Sequence, residues 1–130
     1  MTQARSQVPD GGIQCGYNNS GSTIAGKLAV QRLGAGADQV QLPAAITSPT
    51  YGITMHDIPT GTRGDLQVAG LAIATSGAAI TAGAELEAMT TGKVRTRTTG
   101  ACIGVANTTV SGADLDVEVR LSLPSAADGT

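Results

Sequence analysis

Few residues of this chain could take part in catalysis, and the first is its single histidine, His56, which Asp57 follows directly. A nucleophilic mechanism needs a serine or cysteine beside the histidine and a carboxylate that orients the ring. No Gly-x-Ser-x-Gly motif marks a serine as a nucleophile. We therefore expect no catalytic site, and a polar surface or subunit-contact role for His56. A small hydrolase or isomerase acting through His56 and Asp57 is the enzymatic alternative.

The residues that bind metals or cofactors form no pattern either. One histidine with Cys15 and Cys102 gives no ligand spacing for zinc, and the acidic residues never crowd as a calcium loop requires. Gly34-Ala35-Gly36 lacks the third glycine and the following helix of a dinucleotide site, so it predicts a hairpin loop. We expect no metal and no cofactor. The first ten residues lack the apolar segment of a signal peptide, which predicts synthesis in the cytosol and two free thiols.

Charge and composition exclude further classes. Eight basic and ten acidic residues are scattered along the chain, which leaves no basic patch for nucleic acid or an anionic membrane. We expect neither partner. The chain has two tyrosines and no phenylalanine or tryptophan, so a core of small aliphatic side chains predicts modest stability for an isolated monomer. Assembly with itself or with a larger partner would offset this.

The elements that must position any site are strands. Residues 114–123 alternate apolar and polar side chains, the period of a strand with one buried face. Residues 84–89 and 93–97 predict a hairpin with a three-residue loop, Thr90-Thr91-Gly92, which places Glu87 opposite Arg95. We expect these Glu/Arg pairs to be solvated. No segment shows a sustained helical stripe, so the predicted fold class is all-β.

The same unit is predicted to occur twice, over about residues 23–74 and 79–123. Tyr51-Gly52-Ile53 matches Ile103-Gly104-Val105, and Ala25-Gly26 matches Ala82-Gly83. Self-similarity at this spacing indicates duplicated supersecondary units. Two copies favour one compact β domain, a small barrel or sandwich with internal pseudo-twofold symmetry, over residues 23–123.

Both ends of the chain lie outside that domain. Residues 1–22 have no usable periodicity and predict an extended N-terminal arm, and residues 124–130 predict a C-terminal tail. A frayed terminus is one interpretation of the arm. The other is an arm that orders across a neighbouring subunit or a larger surface. The candidate contact residues are Val8, Ile13, Tyr17, Asn18 and Asn19.

Four motifs in this order resemble the capsid decoration, or cement, proteins of tailed bacteriophages. They are Ile80-Thr81-Ala82-Gly83, Thr91-Gly92-Lys93-Val94, Ile103-Gly104-Val105-Ala106 and the closing run Gly112-Ala113-Asp114-Leu115-Asp116-Val117-Glu118-Val119. The resemblance covers residues 23–123 and leaves the arm and the tail unmatched.

This resemblance implies a β-tulip-like body and a non-enzymatic virion protein. Such a protein binds the outer surface of the assembled head, between major capsid subunits, as a homodimer or homotrimer. The implied partners are therefore the major capsid protein and other copies of the chain. The alternative is a β-clip or SAF-like carbohydrate- or ligand-binding module. A clustered aromatic platform would support sugar binding, and the sequence offers only Tyr17 and Tyr51 for it.

Overall fold

The computed structural model describes residues 12–32 and 39–122, and within them every regular element is a strand. The all-β prediction is therefore confirmed. The first five strands are β1 (Ile13–Asn18), β2 (Ala29–Arg32), β3 (Gln39–Gln41), β4 (Gly52–Thr54) and β5 (Arg63–Gln67). The next five are β6 (Leu71–Thr75), β7 (Glu85–Ala88), β8 (Val94–Thr96), β9 (Cys102–Ala106) and β10 (Asp116–Leu121). The described residues contain no helix that could span a membrane.

The two sets of five strands have the same topology. The first closes into a barrel in the order β1-β3-β2-β4-β5, with β1 parallel to β3 and the other pairs antiparallel. The second is a sheet in the order β6-β10-β9-β7-β8, and a parallel bridge between Ser76 and Val94 joins its two ends. Strands β6 and β8 therefore stand in the second unit where β1 and β3 stand in the first.

The boundary between the units differs from the predicted one. Residues 71–75, which the sequence analysis placed at the end of the first unit, form β6 and pair antiparallel with β10 from Leu71 opposite Arg120 to Thr75 opposite Asp116. The observed units therefore span residues 13–67 and 71–121. The predicted boundary was wrong because the residues that pair with β6 lie 41 to 49 residues later in the sequence, from Asp116 opposite Thr75 to Arg120 opposite Leu71.

The N-terminal arm also has a different extent. Residues 13–18, predicted to belong to the arm, form β1, which pairs with β5 from Ile13 opposite Gln67 to Tyr17 opposite Arg63. They are part of the barrel wall in this chain. Residues 1–11 of the predicted arm, with Val8, lie outside the described residues, and so does the predicted tail.

The core is built from alanine, valine, isoleucine and leucine in two clusters. One fills the barrel with Ile24, Val30, Val40, Ile58 and Leu66. The other joins the units, because Ala29 and Ile53 of the barrel pack with the inner face of the second sheet. Backbone hydrogen bonds reinforce the junction, including Ala29 N–H to the Gly92 carbonyl at 2.8 Å. The barrel and the sheet are therefore fixed to one another.

Candidate functional site

The environment of His56 gives no support to the enzymatic alternative. The Asp65 backbone N–H donates to Nε2 at 3.1 Å, and Nδ1 lies 3.0 Å from the Asp57 carbonyl oxygen. A neutral ring satisfies both bonds when it carries its proton on Nδ1. Both nitrogens are then engaged by backbone groups, one of Asp57 in the turn before β5 and one of Asp65 within β5, so neither is free to accept a proton from a nucleophile. In this arrangement His56 holds the turn.

Metal binding and thiol chemistry have no visible centre in the part of the chain that the structure describes. There, no three His, Cys, Asp or Glu side chains come together as a metal ion requires. Cys15 is exposed on β1 and Cys102 is half-buried on β9, and both are free thiols. No residue of the described chain is therefore assigned to a metal or cofactor.

Each of the two tyrosine rings has an arginine over one of its faces. The Arg32 guanidinium lies 4.2 Å from the centre of the Tyr51 ring, and that of Arg63 lies 5.4 Å from the centre of the Tyr17 ring. Arginine over an aromatic face is a favourable cation–π arrangement, and it covers one face of each ring. The carbohydrate-binding alternative gains no support from this geometry.

Four of the predicted contact residues lie within the described structure, three of them at the surface. Ile13 is 45% exposed at the start of β1, Tyr17 is half-buried on the same strand, and Asn19 is exposed just after it. The structure brings them together on one strand and the turn that follows it. A surface formed by β1 can therefore present these three residues to a partner.

Asn18 is different, because its side chain is completely buried. Its amide nitrogen donates to the carbonyl oxygens of Ile58 and Ser22, both at 2.7 Å. Its side-chain oxygen accepts from the Ser20 backbone N–H at 3.0 Å and from the Ser20 hydroxyl at 2.7 Å. The expectation of a direct contact through Asn18 is corrected: this side chain holds the loop that carries Asn19.

Glu87 also lies in a different environment from the solvated one that the sequence predicts. The register of the hairpin is confirmed, with Glu87 opposite Arg95 and Ala88 opposite Val94. The Glu87 side chain, however, is fully buried instead of solvated. It accepts hydrogen bonds from Arg95 Nε at 2.6 Å, from the Thr98 N–H at 2.9 Å and from the Gly100 N–H at 2.7 Å. Thr98 and Gly100 belong to the loop after β8, and this loop contacts the segment of the first unit between β3 and β4, since the Ala101 N–H donates to the Ile46 carbonyl oxygen at 3.0 Å.

These bonds determine the charge state of Glu87. Burial by itself would raise the pKa of the carboxyl group, because the charged form loses its hydration. Hydrogen bonds from the Thr98 backbone, Arg95, the Gly100 backbone and the Thr98 hydroxyl outweigh burial and lower the pKa from 4.5 to about 2. The buried side chain is therefore a carboxylate at neutral pH, and it fixes the loop after β8.

The outer face of the second sheet carries exposed aliphatic side chains. Leu71 and Ile73 of β6 are 47% and 42% exposed, and Val105 of β9 is 36% exposed. Beside β6 lies a groove of about 260 Å³ whose lining includes Met55, Gln67, Leu71 and Ile73. The groove and the adjoining sheet face together expose four of these larger apolar side chains, those of Met55, Leu71, Ile73 and Val105.

Comparison with known proteins identifies the family. The model of the phage cement protein family matches residues 17–121, from the last part of β1 to the end of β10. The chain belongs to the phage cement protein family. The match takes in both β units, and it gives this cement protein a structural role in the phage virion, associated with the capsid. None of the curated proteins matches the chain.

Among solved structures, this cement protein is similar to the N base of head fiber gp8.5 in bacteriophage phi29. The two share 14% sequence identity with a TM-score of 0.68, and the match covers 85% of this chain and 92% of that chain. At this identity the likeness is one of fold. Both β units of the cement protein are therefore part of a fold already seen in a phage head protein.

Proposed function

We propose that the protein binds the outer surface of a phage capsid between major capsid subunits and stabilises the head. The observation that carries the proposal is the cement-family match over residues 17–121. The partners are the major capsid protein and other copies of this chain, as a homodimer or homotrimer. The role is structural and not enzymatic, in keeping with a His56 ring whose two nitrogens are engaged by backbone groups.

The rigidity of the body supports this role. A protein that bridges capsid subunits must hold its contact surfaces at a fixed distance, so that several weak contacts act together. Here the closed barrel and the second sheet share one core cluster, and the loop held by Glu87 is bonded to the segment between β3 and β4 of the first unit. The two units can therefore hold contact surfaces on the barrel and on the second sheet at a fixed distance from one another.

The contact surface that we propose includes residues of the first unit and the segment before it. Ile13, Tyr17 and Asn19 lie along β1 and the following turn. Val8 precedes them in the part of the arm outside the described residues. In this proposal Asn18 acts indirectly, by holding the turn that presents Asn19.

A binding experiment with purified full-length protein and heads that lack it tests the proposal. We expect saturable co-sedimentation with the heads and a higher temperature of head rupture when the protein is bound. Heads that already carry the protein are the control, since they should take up no more. Protein that stays in the supernatant at every concentration, with no change in the rupture temperature, would contradict the proposal.

A further inference from the structure

Strand β6 places its larger apolar side chains on the outside. Ala72 and Ala74 point into the core and are 4% and 0% exposed, whereas Leu71 and Ile73 point outward. A strand with one solvated face normally buries its larger apolar residues and shows polar ones to water. Apolar side chains on both faces are typical of a strand covered on both sides. The outer side of β6 is therefore suited to contact with another surface.

Two charged residues of β10 lie beside these aliphatic side chains. Arg120 is opposite Leu71 on β6 and opposite Val105 on β9, and Glu118 is opposite Ile73. Residues directly opposite each other in an antiparallel pair have their side chains on the same face of the sheet. We call the surface formed by Leu71, Ile73, Val105, Glu118 and Arg120 the β6–β10 face.

Neither charge on this face is neutralised by an opposite charge within the described residues. Lys27, Lys93, Arg95 and Arg97 each form an ion pair with a carboxylate. The Arg120 guanidinium group has no hydrogen bond or ion pair within residues 12–32 and 39–122. The Glu118 carboxylate accepts a bond from the neutral Asn107 amide, and no cation of the described chain reaches it. The face thus presents one free cation and one free anion two residues apart on β10.

We propose that the β6–β10 face docks on the same face of a second copy of this chain. A twofold axis that passes near Val119 reverses β10 in the partner. Arg120 of each copy then faces Glu118 of the other, and Leu71 faces Ile73 in the same way. Such an isologous contact is self-complementary in charge and in apolar surface. The adjoining groove gives further room for side chains of the second copy.

This contact rests on the self-association that is part of the proposed function. Because a twofold contact joins two copies, it favours the homodimer over the homotrimer. Arginine surrounded by aliphatic side chains is typical of the centre of a protein interface. A contiguous apolar patch also tends to cause nonspecific association if it stays open on the free protein. A homotypic contact covers the patch without requiring a capsid.

Charge reversal with complementation tests the contact on the full-length protein. Light scattering after size exclusion should give twice the chain mass for the wild type. Arg120→Glu leaves two carboxylates on the face and Glu118→Arg leaves two guanidinium groups, so each variant alone should dissociate about tenfold more readily or worse. An equal mixture of the two variants should regain the dimer mass, since their faces are complementary. The regained dimer would also show that both variants fold.

The control is Ser111→Glu, which adds a charge at an exposed loop residue that belongs to none of the strands of this face and should remain dimeric. A monomeric or trimeric wild type overturns the inference, and so do single variants that stay dimeric or a mixture that stays monomeric. Head binding is measured separately: a monomeric wild type that binds heads overturns this contact alone, whereas a dimer that never binds heads overturns the proposed function alone.

Discussion

The Glu87 carboxylate accepts a 2.6 Å hydrogen bond from Arg95 Nε while its own side chain is completely shielded from solvent. The arginine remains about one third exposed. The pair is therefore a buried anion held by a cation at the surface, and backbone N–H groups of Thr98 and Gly100 complete its bonds. An anion bonded in this way stabilises the fold only while it stays charged.

Glu87→Gln should destabilise the protein in a pH-dependent manner. The folded-state pKa of Glu87 is about 2, below its ordinary value of 4.5. Its contribution to the free energy of unfolding is therefore fully present above pH 4.5 and is lost as the pH falls toward 2. That contribution is at most on the order of 3 kcal/mol. Urea unfolding of both proteins at several pH values should show the wild-type advantage at pH 7 shrinking below pH 4.5.

Glu85→Gln is the matched control for that experiment. Glu85 lies on the same strand, but its side chain is 61% exposed and its pair with Arg97 spans 3.3 Å. Exposed pairs of this kind contribute about 0–1 kcal/mol, so this variant should unfold nearly as the wild type does. A wild-type advantage over Glu87→Gln that is unchanged from pH 7 to pH 2 would show that the carboxylate is not the stabilising species.

The hairpin shows what local sequence can and cannot predict. The three-residue loop fixed the register correctly, because loop length and the left-handed Gly92 are local properties. The same reasoning placed Glu85 and Glu87 on one solvated face. Their environments differ because the loop at residues 98–100 folds over Glu87 alone. A loop that covers one residue in the folded protein produces no periodic pattern in the sequence, so the burial of Glu87 could not be predicted from it.

Strand β1 was missed for a related reason. Its inward positions are occupied by Gly16 and Asn18, neither of which is recognised as a core residue in a hydrophobicity pattern. A side chain at Gly16 would meet Leu66 and Val40, the Cβ lying 2.8 Å from the nearest Leu66 atom. The barrel therefore closes through a strand whose inner face must be small and polar. Tyr51-Gly52-Ile53 and Ile103-Gly104-Val105, by contrast, occupy equivalent strands, since β4 pairs with β5 in the first unit and β9 pairs with β10 in the second.

Two N-terminal deletions should separate the arm from the barrel. Removing residues 1–11 leaves β1 intact, so we expect a folded domain that binds heads more weakly or not at all. Removing residues 1–20 deletes β1, which closes the barrel between β5 and β3, and should prevent folding. Circular dichroism, urea unfolding and head co-sedimentation report the two effects. Full head occupancy by the shorter deletion would remove the arm from the proposed contact surface.

Gly104→Ala should be among the most destabilising single substitutions. Gly104 has a φ of 151°, and a Cβ there would lie 2.2 Å from the Arg120 carbonyl oxygen on the neighbouring strand. The backbone of β9 would have to move away from β10, at an expected cost of about 2–4 kcal/mol. Gly112→Ala is the control, since no atom lies within 4 Å of the corresponding position. Equal thermal midpoints for the two variants would contradict this account.

Asn18→Ala should reduce stability and leave the chemistry of the outer surface unchanged. The substitution leaves the Ile58 and Ser22 carbonyl oxygens without their amide donor in a buried site. We expect a loss of about 1–3 kcal/mol in the free energy of unfolding.

Asn19→Ala removes an exposed amide whose bond to Gln39 is 3.4 Å long, and it should change the stability by less than about 0.5 kcal/mol. Urea unfolding of both variants measures how much each side chain stabilises the fold, and co-sedimentation with heads measures whether it contributes to capsid binding. If Asn18→Ala unfolds as the wild type does and still fails to bind heads, Asn18 contacts the capsid directly. In that case the bonds to Ile58 and Ser22 would not be what fixes the turn at residues 19–22.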